Sequence, residues 1–171
     1  MSTQINEAAA STSWRRQDYS ADNCSLTRGL EVLGDKWTFP IMREAFFGVR
    51  RFNDFETALG CARNLLSVRL NALVNEGLLR TQEYKDRGAR KRFEYRLTEK
   101  GRDLLPVLIS LLQWGDRWVC DPNGPPILLE HKGCGGGLFV DVVCQHGHRS
   151  MGVHEIEIKA GPGARRADSK K

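Results

Sequence analysis

The chain has 171 residues, 40% of them hydrophobic and 27% charged, which suits one globular domain with appendages and a core of useful size. Its net charge of +5 makes an anionic partner worth testing, and the whole excess lies between Arg50 and Arg102, where thirteen Lys and Arg face seven Asp and Glu. No apolar run approaches the roughly 20 residues of a membrane helix, and residues 1–20 lack the hydrophobic block of a secretory leader, so a membrane partner is excluded and a cytoplasmic protein with reduced thiols is expected.

Residues 1–20 are polar and rich in Ala and Ser, and are expected to be a disordered arm. Residues 24–33 carry Leu26, Leu30 and Leu33 at helical spacing, and Gly34 ends that helix. Asp35 is a plausible N-cap for the next helix, with Trp37, Ile41, Ala45 and Phe46. Pro40 is tolerable there only in a first turn, so the helix is expected to begin later than Asp35 suggests. Phe52, Phe55 and Leu59 mark a short third helix closed by Gly60. Residues 62–76 follow, with Leu66, Leu70 and Leu73 on one face and Gly77 as C-cap. Two short helices joined around a glycine form a helix-turn-helix pattern.

After Gly77 the period changes. Residues 78–84 read as a strand, and Phe93, Tyr95 and Leu97 alternate with Glu94 and Arg96 in a second. The loop between them, residues 85–92, turns at Gly88. Thr98 is expected to cap a long helix to about Val119 through Leu104, Leu105, Leu108, Leu111, Leu112, Trp114 and Trp118, with Pro106 kinking it or moving its start. Residues 120–126 read as a Pro- and Gly-rich linker. A small Cys- and His-containing β appendage spans 127–160, with strand-like runs at 138–143 and 154–158, and 161–171 reads as a disordered basic tail. The expected class is therefore α+β: a winged helix-turn-helix domain over 21–119, made of a three-helix core, a two-stranded wing and a long dimerisation helix, plus the appendage.

The helix over 62–76 turns Asn64, Val68 and Asn71 away from its leucines, flanked by Arg63 and Ser67, and this face carries no acid before Glu76. Amides and Arg pair with base edges and a Val touches a thymine methyl, so the face suits a major groove. Arg69 lies nearer the core flank, where a phosphate contact and an internal salt bridge are equally open. Arg87, Arg90, Lys91 and Arg92 place four cations within six residues at the hairpin tip, which suits phosphates and not base reading.

The run Cys24…Leu33-Gly34-Asp35-Lys36-Trp37-Thr38, then Arg51-Phe52-Asn53-Asp54-Phe55, Leu65-Leu66-Ser67-Val68-Arg69-Leu70-Asn71-Ala72-Leu73, Glu76-Gly77-Leu78-Leu79 and Tyr95-Arg96-Leu97-Thr98-Glu99-Lys100-Gly101 resembles the HxlR family of MarR-like winged-helix regulators over about residues 24–118. Ser25, Asp35, Pro40 and a wing without proline depart from the family's usual pattern. The resemblance implies a sequence-specific transcription regulator, homodimeric on a pseudo-palindromic stretch of double-stranded DNA. It also implies, in some members, a regulatory cysteine at the position of Cys24, hence a thiol or small-molecule effector. A cysteine at a helix N-terminus is favoured as thiolate by unpaired amides, which agrees with a redox sensor at Cys24; a merely structural thiol is the other reading.

His131-x2-Cys134 and Cys144-x-His146-x-His148 offer nitrogen and sulfur donors of the kind that bind structural zinc. The second group is tighter than a usual knuckle, so a small appendage with reduced thiols and no required cofactor is the leading reading. An enzyme built on Cys144, His146 and His148 is not expected, because no carboxylate motif or phosphate loop accompanies them. The rival function is a winged-helix protein-interaction module without DNA binding, which would not need both a basic wing and an acid-free helix face.

Overall fold

In the computed structural model, which describes residues 15–84, 91–149 and 152–167, the chain divides into two compact units. One is Val32–Val142; the other joins residues up to Glu31 with those from Val143 onward. The first holds α2 (Thr38–Phe46), α3 (Phe52–Leu59), α4 (Arg63–Asn75), β1 (Leu79–Tyr84), β2 (Arg92–Leu97), α5 (Glu99–Arg102) and α6 (Leu105–Trp118). Helix α1 (Ser25–Leu33) runs from the second unit into the first.

The start of α2 resolves the conflict between Asp35 and Pro40. The Asp35 side chain accepts from the Trp37 amide at 2.9 Å and its carbonyl accepts from the Thr38 amide at 3.0 Å, so Asp35 turns the chain one step ahead of the helix. Pro40 then falls in the first turn, where an N–H has no intrahelical acceptor to lose. At the other end, the Arg50 guanidinium donates to the carbonyls of Ala45 and Val49, satisfying acceptors left over where α2 stops.

The core of this unit is the inward face of each element: Ile41, Met42 and Ala45 of α2, Phe55 of α3, Leu66, Leu70 and Leu73 of α4, then Leu78 and Leu79. Each fully buried aliphatic or aromatic side chain removes apolar surface from water worth roughly 1.5–3 kcal/mol. Tyr95 meets Phe55 edge-on, ring centroids 6.1 Å apart, and joins the wing to the helices. Burial pushes the Tyr95 phenol above its ordinary value.

The join between α4 and the wing is the most closely specified part of the fold. Gly77 adopts φ +70°, its amide donates to Val74 and the Leu78 amide to Leu73, a pair of bonds that closes α4 and drives Leu78 into the core. Thr98 sits against the same turn. Its hydroxyl donates to the Gly77 carbonyl at 2.6 Å and accepts from the Gly101 amide, capping α5. Lys100 donates to the Glu76 carbonyl at the end of α4. A Cβ on Gly101 would collide with the Leu78 carbonyl oxygen, so only glycine allows α5 to lie so close.

The wing pairs antiparallel from Leu79↔Leu97 to Tyr84↔Arg92. A third short stretch joins it: Arg51 bridges Glu94, and the Tyr95 amide donates to the Arg50 carbonyl. Three expectations change. The long helix from Thr98 is two helices, because Pro106 lacks the N–H that a continuous helix would use; it occupies the first turn of α6 instead. The runs at 138–143 and 154–158 form no strand: the appendage shows isolated bridges at Glu130↔Gly137 and Val143↔Arg149 and one turn of 3-10 helix at Val153–Glu155. Within the tail expected over 161–171, Arg165 and Ala167 share backbone hydrogen bonds with Ser20 and Asp18, and residues 168–171 lie outside the described residues. Of the N-terminal arm expected over 1–20, residues 1–14 lie outside the described residues.

Candidate nucleic-acid interface

Helix α4 separates two faces by residue type. Leu66 and Leu70 are fully buried and Leu73 nearly so, while Asn64, Val68 and Asn71 are exposed and Ser67 is half-buried. Val68 is 60% exposed. An apolar side chain between two exposed amides does nothing for the monomer's core. The helix starts at Ala62, which offers no capping side chain. The Asn64 side-chain oxygen accepts from the Leu65 amide, so that carboxamide is ordered at the start of the helix.

The cations divide into those already engaged and those open to solvent. Arg69 is engaged: its guanidinium meets the Asp35 carboxylate at 2.9 Å and ties α4 to the turn before α2. Of the two roles open to Arg69 in the sequence, the structure contains the salt bridge. Arg63 pairs with Glu56 at 2.7 Å and stacks on Phe52 at 4.7 Å, at the exposed end of α4. Exposed pairs of this kind hold by about 0–1 kcal/mol, so a phosphate or base edge can displace Glu56. Lys91 reaches Glu83 across the wing at 3.1 Å. Arg92 is exposed at the end of β2. Arg87 and Arg90 lie outside the described residues.

The structure brings forward residues that the sequence did not single out. The bridge from Arg51 to Glu94 sets the start of α3 beside the wing, and Arg51 stacks over Tyr84 at 4.7 Å. A cleft results, lined by Arg51, Arg63 and Arg92 with Phe52, Tyr84 and Phe93, and by Asn53 and Asp54. It sets three guanidinium groups and one carboxylate beside three rings. Phe93 reads in sequence as part of the core-facing alternation with Tyr95 and Leu97, yet it is 60% exposed. Arg51 gave no signal in sequence, because its role depends on pairing with a strand more than forty positions away.

Cys24 immediately precedes α1, at the N-cap position, and is partly exposed. Among the Cys and His residues of the appendage, the Cys134 sulfur lies 3.4 Å from His131 Nδ1, and the Cys144 amide donates to the His148 carbonyl. His146 is exposed. Among the described residues no group of three or more His, Cys, Asp or Glu is placed to hold a metal ion. Among the same residues no helix is long and apolar enough to cross a membrane.

Known proteins share this arrangement. A family model described as HxlR-like helix-turn-helix matches residues 32–122. An uncharacterised HTH-type transcriptional regulator of Mycobacterium tuberculosis is 43% identical over 139 residues, covering 81% of this chain and 87% of the relative. One from Synechocystis is 34% identical over 111 residues, 64% of this chain and 81% of the relative. The crystal structure of a candidate transcription factor superposes with a TM-score of 0.74 at 32% identity, covering 82% of this chain and 97% of the other. A second, from Pseudomonas aeruginosa, gives 0.58 at 34% identity over 82% and 94%.

Proposed function

This chain belongs to the HxlR-like helix-turn-helix family of DNA-binding transcription regulators, and from that premise we propose that it works as a homodimer on a pseudo-palindromic operator, read by α4 and held by the wing. The observation that carries the reading is the outward face of α4, where exposed Val68 lies among Asn64, Ser67 and Asn71 opposite a fully buried leucine stripe. Asn64, Asn71 and Arg63 address base edges, Val68 addresses a thymine methyl, and Ser67 is an adaptable donor. Lys91 and Arg92, with Arg87 and Arg90 of the wing tip, address phosphates.

The second copy is called for by α6. Val107, Leu111, Trp114 and Trp118 recur at helical spacing and are all exposed, the two tryptophans by 57% and 64%. A patch of this kind on a monomer marks a partner surface. Leu26 and Leu30 of α1 are exposed as well and are expected to be covered in the same dimer. Two copies of α4 then read half-sites roughly 34 Å apart, one turn of DNA. On the input side, modification of Cys24 by an oxidant or electrophile is proposed to change operator affinity. A Cys24→Ser protein that binds DNA and responds to oxidant as the parent does would exclude it.

A salt series of DNA binding tests the reading. Each phosphate neutralised steepens the dependence of log affinity on log salt by about 0.9, so a steep loss of affinity between 50 and 200 mM salt is expected. A protein-interaction module would show no such dependence, and a flat series would refute the proposal.

A further inference from the structure

The first unit contains a cavity that the DNA-reading surface does not use. It lies between α2, α6 and the chain segment 126–138, which folds back through a backbone hydrogen bond from Leu138 to Leu129 and the bridge from Glu130 to Gly137. Its volume is about 270 Å³. That is close to the lower end of small-molecule sites, and well above the ~150 Å³ that accepts a bare benzene ring. The floor is apolar: Ile109 and Leu112 of α6 face Ile127, Leu129 and Leu138 of the returning segment. The segment is pinned above α6 by the Val140 amide, which donates to the Gln113 side chain at 2.9 Å. Gln113 also lines the cavity, so its oxygen is already occupied.

The charged groups in the lining decide what would fit. Arg43, Asp116 and Glu130 line it. The Arg43 guanidinium is turned onto Glu44, with Nε and Nη2 both meeting one carboxylate oxygen at 2.8 and 2.6 Å, and Glu44 is the more buried partner. Its positive charge is thereby balanced. Among the described residues, Asp116 and Glu130 take part in no side-chain ion pair. An apolar pocket with two carboxylates in its lining and its one cation already matched is complementary to an apolar body carrying a positive charge.

We propose that this cavity binds a small lipophilic cation, of the size of one aromatic ring with a short alkylamine chain. The ring fills the space between α6 and the 126–138 segment, and the ammonium sits at Asp116 and Glu130. Such a ligand would clamp the segment onto α6 and α2. That its binding informs a DNA-reading head rests on the proposed function; the binding itself does not.

The test is calorimetric titration of the full chain, without DNA, using three molecules of one shape. They are 4-phenylbutylamine, 4-phenylbutanol and 4-phenylbutyrate. The amine is expected to bind about tenfold more tightly than the acid, or ~1.4 kcal/mol, with the alcohol between, as the modest strength of partly exposed charge pairs implies. Asp116→Asn with Glu130→Gln is expected to bring the amine down to the alcohol while leaving the alcohol unchanged. Leu138→Trp, which fills the cavity from the returning segment, is expected to abolish binding of all three. Should that variant misfold, the charge variants still decide. Equal binding of amine and acid, preference for the acid, or no binding of the amine at millimolar concentration would overturn the proposal. Failure of DNA binding alone, with the amine still bound, would overturn the regulator reading and leave the cavity site standing.

Discussion

The side chains proposed to meet DNA fall into two energetic classes, and single substitutions should separate them. Asn64→Ala and Asn71→Ala remove base-edge partners, so each is expected to relax sequence choice at one position, by about 1–3 kcal/mol for a bidentate contact, and to leave the salt slope nearly unchanged. Arg92→Ala removes a phosphate partner, so it is expected to weaken all sequences alike and lower the salt slope by about 0.9. Competition binding at several salt concentrations measures both. Arg69 belongs to neither class in this structure. Its partner Asp35 gives Arg69 a counter-ion and also turns the chain into α2. Asp35→Ala is therefore expected to lower stability by about 1 kcal/mol in urea unfolding, a modest figure because both partners are about one-third exposed.

A titration effect belongs at the same scale. The Tyr95 phenol is raised by burial, so the folded protein holds that proton more tightly than the unfolded chain does. The stability it contributes is fully present below the unfolded value of about 10 and is lost as pH rises through the folded value. Tyr95→Phe should flatten the decline of stability as pH rises above about 10; an unchanged decline would mean that other groups cause it.

Among the elements, the sequence was most informative where one residue has one job. Gly60, Gly77 and the leucines of α4 place the reading helix to within a residue. The motif Thr98-Glu99-Lys100-Gly101 reads in sequence as the start of a helix, and in the structure it is that and a clasp as well. Thr98 and Lys100 bond the end of α4, and Gly101 lies against the Leu78 carbonyl. Gly101→Ala should cost about 1–3 kcal/mol of stability, the usual range for overpacking, and should loosen the wing without touching any DNA-facing side chain. Thermal unfolding of this variant would show it. Pro106 was legible as either a kink or a new helix start, since a proline fits both equally well, and the structure has the new start. The appendage misled for a different reason. Its Val- and Ile-rich runs have strand propensity, but a strand needs a neighbour, and there the described chain offers isolated bridges only. The basic-aromatic cleft was invisible because it needs Arg51 beside Glu94, a long-range pairing that no local pattern encodes.

At the scale of the molecule, a reading surface, a cavity and an uncovered apolar helix belong to one chain. The exposed stripe on α6 predicts self-association: light scattering at micromolar concentration should give twice the mass of one chain, and Trp114→Glu should give one. A dimer places two α4 helices on one face of the duplex, and spacing then follows from geometry alone. The measurement that bears most directly on this account is selection of bound sequences by the full-length protein from a random pool of double-stranded DNA. The account predicts enrichment of an inverted repeat with half-site centres about 10 base pairs apart, degraded at one position in each half by Asn64→Ala. A pool that remains random after repeated selection, or that enriches a single unrepeated site, would contradict it.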